Sequence, residues 1–265
     1  MATEKKDTLA PKATEAVSPF KVGDLSPAPD YIQKDRRGLE NMTKDDILMP
    51  RLALAQALSP QVTEGDPNRI EGLKAGDLFN SLNGTIYGGR TPIFVQIIRK
   101  DRPRAMEFRP ILEGGGVIDP NVPIGDPRLE WGENGEKPSA TLFRDYLANI
   151  LPSRELIALS FKSSGIKVAK ALNGLIAMRG NRPIFAGVYA IWTDIELKPK
   201  PHQVFRVDNA GWASPEDLAY GEQMYEALKD FDIASHIDRA NPNDDPDAFD
   251  PDALEAQAQT ANPGM

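Results

Sequence analysis

Cysteine is absent from this chain, which excludes disulfides, thiolate metal sites and thiol catalysis. Histidine is nearly absent: His202 and His236 stand far apart, so a zinc site would need carboxylates brought in from a distance. No apolar run approaches the ~18 residues of a membrane span. The first residues, MATEKKDTLAPK, lack the apolar stretch of a secretory signal. A P-loop, HExxH, GxSxG or suitably placed GxGxxG is also missing, so the common hydrolase and nucleotide-enzyme patterns are not available. These absences lead to the expectation of a soluble cytoplasmic protein with no catalytic residues, metal, cofactor or membrane partner.

What is present is a division of charge. From Asp238 to Met265 there are seven acidic residues (Asp238, Asp244, Asp245, Asp247, Asp250, Asp252 and Glu255) against Arg239 alone. That segment carries −6 of the chain's net −8. Residues 90–110, in contrast, hold six Arg/Lys against two acids, and residues 160–206 hold eight against two. Basic stretches beside aromatics, with a separable acidic strip, suit a protein that binds single-stranded nucleic acid.

Three regions follow from composition. Residues 1–45 are rich in Lys, Thr, Ala, Pro and acids without sustained periodicity, and read as a disordered arm. Residues 46–237 hold the apolar patterns of a single core domain. Residues 238–265 read as a disordered acidic tail. Within the core, Leu52, Leu54 and Leu58 alternate as in a half-buried strand, while the alanines of this segment favour a helix as the alternative. Asn83-Gly84 signals a two-residue hairpin turn between strands 77–82 and 85–88. Residues 91–99 read as a buried strand and 113–138 as a long loop. Strands 140–150 and 155–161 turn at Leu151-Pro152-Ser153-Arg154. A helix is expected over 164–178, strands over 183–195 and 203–208, and a helix over 215–232. Ser214 would cap that last helix, with Pro215 at its first position. The sum is an α+β fold built on an antiparallel sheet or small barrel, of which an OB-like barrel is one member.

Candidate contacts fall in three places. Arg99, Lys100, Arg102 and Arg104, interleaved with Phe108, form the densest basic run, and Arg109 follows. Lys162, Lys167 and Lys170 mark the start and polar face of the first helix, where Ser163-Ser164-Gly165 offer hydroxyls and free N–H groups. In PIFAGVYAIWT, Phe185 and Tyr189 flank Gly187 on one strand face, leaving a gap into which a base could stack. The alternative reading of each is ordinary: a solvated hairpin end, a solvated helix face, and core aromatics. Phe249, among the aspartates of the tail, could anchor a protein partner. Asp77, Glu107, Asp145 and Asp194 are the carboxylates from which a nuclease-type metal site would have to be assembled.

The blocks PRLALAQALSPQV (50–62), GLKAGDLFNSLNGTIYGG (72–89), FKSSGIKVAKALNGL (161–175) and PIFAGVYAIWT (183–193) resemble a family from bacteriophage and prophage genomes. The resemblance implies a DNA-replication or recombination accessory protein of the single-stranded DNA-binding type, with an OB-like core and an acidic C-terminal tail. It also implies partners: single-stranded DNA, replication or recombination proteins reached through the tail, and further copies of the chain. The commonest pattern places an aromatic near the last residue, whereas this chain ends Asn-Pro-Gly-Met. The expectation is therefore non-enzymatic, sequence-tolerant binding of single-stranded DNA. Lys and Arg would neutralise phosphates, and Phe108, Phe185 and Tyr189 would stack bases. A phage assembly protein and a metal-dependent nuclease are the alternatives.

Overall fold

The longest apolar alternations in the sequence become the longest strands. The computed structural model describes residues 48–109, 115–133, 136–197 and 201–233, together with positions 38 and 41. The expected arm, apart from those two positions, and the whole acidic segment 238–265 lie outside the described residues. Strands β1 (Leu52–Leu54), β2 (Leu78–Asn80) and β3 (Ile86–Gly88) make a small antiparallel sheet. The main sheet holds β4 (Ile93–Lys100), β5 (Arg104–Phe108), β6 (Val117–Asp119), β7 (Ala140–Leu151), β8 (Glu155–Lys162), β9 (Gly187–Glu196) and β10 (His202–Trp212). Helix α1 (Gly165–Ala177) lies between β8 and β9, and α2 (Pro215–Leu228) follows β10.

The main sheet runs β10-β9-β4-β7-β5-β6, with β8 on the other edge of β7. Leaving aside the β5-β6 excursion, three strands precede a helix and two follow it, and the first strand (β4) sits between the second (β7) and fourth (β9). That is the connectivity of an OB-type barrel. Its interior is filled by Val95, Ile97, Tyr146, Ala148, Ile150, Ile157, Leu159, Phe161, Tyr189 and Ile191, with Val168, Ala169 and Leu172 of α1 as the plug. Tyr146 is tied to that plug, its hydroxyl hydrogen-bonded to Asn173 Oδ1 at 2.9 Å, and burial pushes its pKa up to about 12. The seam between β8 and β10 is bridged by Phe161 against Phe205, 5.5 Å apart and edge-on. Gln56, just past β1, exchanges two side-chain hydrogen bonds with the backbone of Gln203 on β10.

The outer face of β7 and β8 is covered rather than open. Ile98, Leu147 and Ala158 pack there against Met49, Phe185, Phe231 and Ile233, with Met224, Tyr225 and Leu228 of α2 on top. Helix α2 starts as its sequence demands: Ser214 Oγ accepts from Asp217 N at 3.1 Å, and Pro215 occupies the first turn. Gly221 allows its close approach, because a Cβ there would stand 2.7 Å from Gln96 Nε2. That amide donates to Phe185 O and Asp217 O at 2.7 and 2.8 Å and so joins sheet to helix.

Several expectations change in detail. Gly84 takes positive φ but Asn83 does not, so no two-residue turn forms. Asn80 instead organises a longer loop, its Oδ1 accepting from Leu82 N and Asn83 N. Leu58 leaves the strand and is exposed in a turn. The loop 113–138 contains β6 and a short 3₁₀ turn at Pro127–Leu129. Arg128 draws it together by pairing with Glu107, Asp119 and Asp126.

Candidate nucleic-acid interface

Seven of the ten residues singled out in the sequence gather around one end of the barrel and along α1. At that end β4 stops, β5 begins, β8 stops and α1 starts. The register places Arg104 opposite Phe143 on β7, and Phe143 opposite Lys162 on β8. Arg104 stacks 4.2 Å above the Phe143 ring, and Lys162 Nζ stands 5.9 Å from the same ring centre. Phe108 is half-buried, its ring 6.1 Å from that of Phe143. Lys100, the last residue of β4, and Arg102 just beyond it are exposed, as are Lys167 and Lys170 on α1.

The three remaining residues are elsewhere, for identifiable reasons. Arg99 is turned to the outer face by a register irregularity between Ile97 and Arg99, which places it opposite Leu147. There it donates to Leu228 O and Lys229 O at 2.7 and 2.6 Å and to Phe231 O, and pairs with Asp101 at 2.5 Å. Arg99 thus caps α2, with its guanidinium engaged by three carbonyls and a carboxylate. Tyr189 is wholly buried in the barrel, and Phe185 sits in a 3₁₀ turn beneath α2, 5.8 Å from Tyr225. Neither presents a ring to a base. The gap over Gly187 exists but is filled: a Cβ there would lie 2.8 Å from the guanidinium of Arg179.

Arg144 was not singled out in the sequence; it stands near Lys100, on the face of β7 opposite to that of Phe143. It lies on β7 opposite Phe161, its Nε buried and without a hydrogen-bond partner. Partial burial, and then the charge of Arg144, hold the Lys100 ammonium below the ordinary lysine range. Among the described residues no carboxylate pairs with either side chain. Each of the two cations thus raises the cost of charging the other. The signal in the sequence was faint, because Arg144 is followed directly by Asp145 in a strand whose facing depends on pairing with distant segments.

Not every cation here is available. Arg104 Nε is 2.7 Å from Asp145 Oδ2, a fully buried carboxylate that also accepts from Ser160 Oγ at 2.5 Å. Along α1 the field is uninterrupted: residues 161–182 hold Lys162, Lys167, Lys170, Arg179 and Arg182 and no acid. The Ser164 hydroxyl makes no capping bond at the start of this helix. The carboxylates considered for a metal are dispersed. Glu107 pairs with Arg128, Asp145 with Arg104 and Asp194 with Arg206, while Asp77 accepts from Lys74 N. Among the described residues no group of three or more His, Asp or Glu is arranged to hold a metal ion. Among them, too, no helix is long and apolar enough to cross a membrane.

No curated protein and no solved structure matches the chain. A family model, that of the Pam3 phage gp34-like proteins, matches residues 20–121. The matched stretch runs from within the segment read as an arm, through β1 to β6, and takes in Lys100, Arg102, Arg104 and Phe108. This similarity supports a bacteriophage origin for the chain.

Proposed function

We propose that this protein binds single-stranded DNA without sequence preference, at the basic end of its barrel and along the exposed face of α1. The observation that carries the reading is the set of cations without acidic partners among the described residues: Lys100, Arg102, Arg144, Lys167 and Lys170. Lys162 flanks them at the end of β8. Their common partner is a run of phosphates. The half-buried ring of Phe108 beside Phe143 offers a surface for one base, worth ~1–3 kcal/mol if fully stacked. OB barrels often take oligonucleotides across their second and third strands and the loop between the first two. Here those are β7, β8 and the 101–139 segment, and the analogy is one of fold alone. Because Met49, Phe185, Phe231 and Ile233, with α2 packed over β4, cover the outer face at Ile98, Leu147 and Ala158, the strand is confined to the barrel end and α1.

In this reading the protein acts as an accessory to phage DNA replication or recombination. The acidic segment 238–265 competes for the same cations when DNA is absent. The test is fluorescence anisotropy of a labelled strand of ~30 nucleotides, longer than the ~4–16 that one OB barrel covers. It is run at low salt with the full chain and with a version ending at Ile237. Binding that tightens on truncation supports both the site and the competing segment, and equal binding keeps the site but discards the competition. Failure of both proteins to bind at micromolar concentration overturns the reading in favour of a phage assembly protein, whose signature is a defined oligomer by light scattering.

A further inference from the structure

A second feature lies at the opposite end of α1. Arg179, just past the helix, hydrogen-bonds through Nη2 to Asn209 Oδ1 at 2.5 Å, Gly211 O at 2.6 Å and Val188 O at 3.2 Å. Held in this way, its guanidinium lies 4.9 Å from the Tyr189 ring centre and 4.4 Å from that of Trp212. Trp212 is placed by cross-strand pairing with Gly187, whose missing side chain makes room for Arg179. The result is a tryptophan fixed from beneath yet 60% exposed. It borders an open pocket of about 360 Å³ lined by Leu175, Met178, Arg179, Arg182, Asn209 and Trp212. Met178 is 82% exposed at its rim, and Arg182 is exposed and has no ion pair among the described residues.

An indole held rigid and left largely in water costs the fold hydrophobic burial, while giving a ligand a platform that needs no further ordering. We propose that this pocket is a nucleobase subsite: one base stacks on Trp212, and its phosphate meets Arg182. Three features favour a nucleotide over an apolar ligand or peptide. Two arginines line the pocket and no acid does. The side-chain amide of Asn209 offers a donor at its edge, its oxygen being engaged by Arg179. And the acid-free surface of α1, bearing Lys167 and Lys170, runs from the basic barrel end to this pocket over a helix of 13 residues, about 20 Å. The inference rests on the strand-binding reading and extends it, making Trp212 the far anchor of the strand.

The test uses the full chain with Trp131 and Trp192 changed to Phe, so that fluorescence reports Trp212 alone. Saturating ~30-nucleotide strand should quench this emission, and Trp212→Ala should weaken binding about 5- to 150-fold, the equivalent of the ~1–3 kcal/mol of one stacked base. Arg182→Gln, an exposed change, should weaken binding less and flatten its salt dependence. Binding by anisotropy with unchanged Trp212 emission and unchanged affinity in Trp212→Ala overturns the subsite and leaves the basic interface standing. Should the strand not bind at all, the same protein is titrated with deoxythymidine monophosphate. Saturable quenching would retain the subsite as a mononucleotide pocket while the strand-binding reading falls, and no quenching would overturn both.

Discussion

Arg99 gives the sharpest separation between a structural and a DNA-binding cation. Changing it to Met removes a guanidinium that is 13% exposed and bonds three carbonyls at and beyond the end of α2 as well as Asp101. Hydrogen bonds to a charged donor contribute about 1.5–3 kcal/mol each, and breaking a buried ion pair costs about 3–5 kcal/mol. These terms overlap, and some carbonyls recover water, so a loss of about 3–5 kcal/mol is expected. That is a large share of the ~5–15 kcal/mol by which such domains are stable. In urea, with a slope of about 1–3 kcal/mol per molar, the midpoint should fall by more than 1 M. Arg99→Lys should recover only part of this, since one ammonium cannot serve three carbonyls and a carboxylate together. Burial already raises the pKa of Asp101, and Arg99 opposes that rise. An acid whose folded pKa lies above its unfolded one costs the fold stability as pH rises, so the deficit of Arg99→Met should shrink as pH is lowered through the carboxylate range. Under conditions where the variant is folded, its affinity for single-stranded DNA and its salt dependence should match those of the parent. A stability change below about 1 kcal/mol, coupled to a clear loss of DNA affinity, would refute the reasoning and return Arg99 to the phosphate contacts.

Three further predictions follow from neighbouring residues. Asp145→Asn should release Arg104 toward solvent, lowering stability by about 1–3 kcal/mol in urea while steepening the salt slope of DNA binding by about 0.7, the share of one phosphate contact. Asp217 is held below the usual carboxylate range, first by the Ser214 hydroxyl and then by Arg154. Its contribution is therefore present above the unfolded carboxylate pKa and lost as pH falls through the folded one, so melting curves of the parent and Asp217→Asn should converge in acid. Gly221→Ala places a methyl against Gln96 Nε2 and Phe185 Cβ, and should cost about 1–3 kcal/mol by lifting α2 from the sheet; an unchanged melting temperature would contradict the close packing described.

Where local rules decide, the sequence was legible. Ser214-Pro215 placed the start of α2, the apolar spacing of residues 164–178 placed α1 within a residue at each end, and alternation located β7, β8 and β9. The α+β class with an antiparallel sheet or small barrel followed from these elements, and the choice between sheet and barrel did not. What could not be read was facing. The irregularity between Ile97 and Arg99 turns Arg99 outward, and nothing local announces it. The gap expected at Gly187 is occupied by Arg179, which reaches it from the end of the preceding helix, a contact set by how α1 packs on β10. For the same reason Trp212 and Arg144 carried no message in the sequence. A lone tryptophan or a lone arginine acquires a role only when cross-strand partners are known. Basic residues clustered in sequence thus proved informative about the end of the barrel that carries charge, and uninformative about which of them face solvent.

The central claim, that an acid-free set of cations at the barrel end and along α1 holds a phosphate backbone, is tested most directly by the salt dependence of binding. The measurement compares the parent with a variant carrying Lys100→Gln, Arg144→Gln, Lys167→Gln and Lys170→Gln. With about four to six phosphate contacts, the parent's log affinity should fall with log salt at a slope of about −3 to −4, at ~0.7 per contact on a single strand. The variant should bind more weakly at low salt, with a slope shallower by about 3. Equal slopes for the two proteins, or a flat salt response in the parent, would contradict the account.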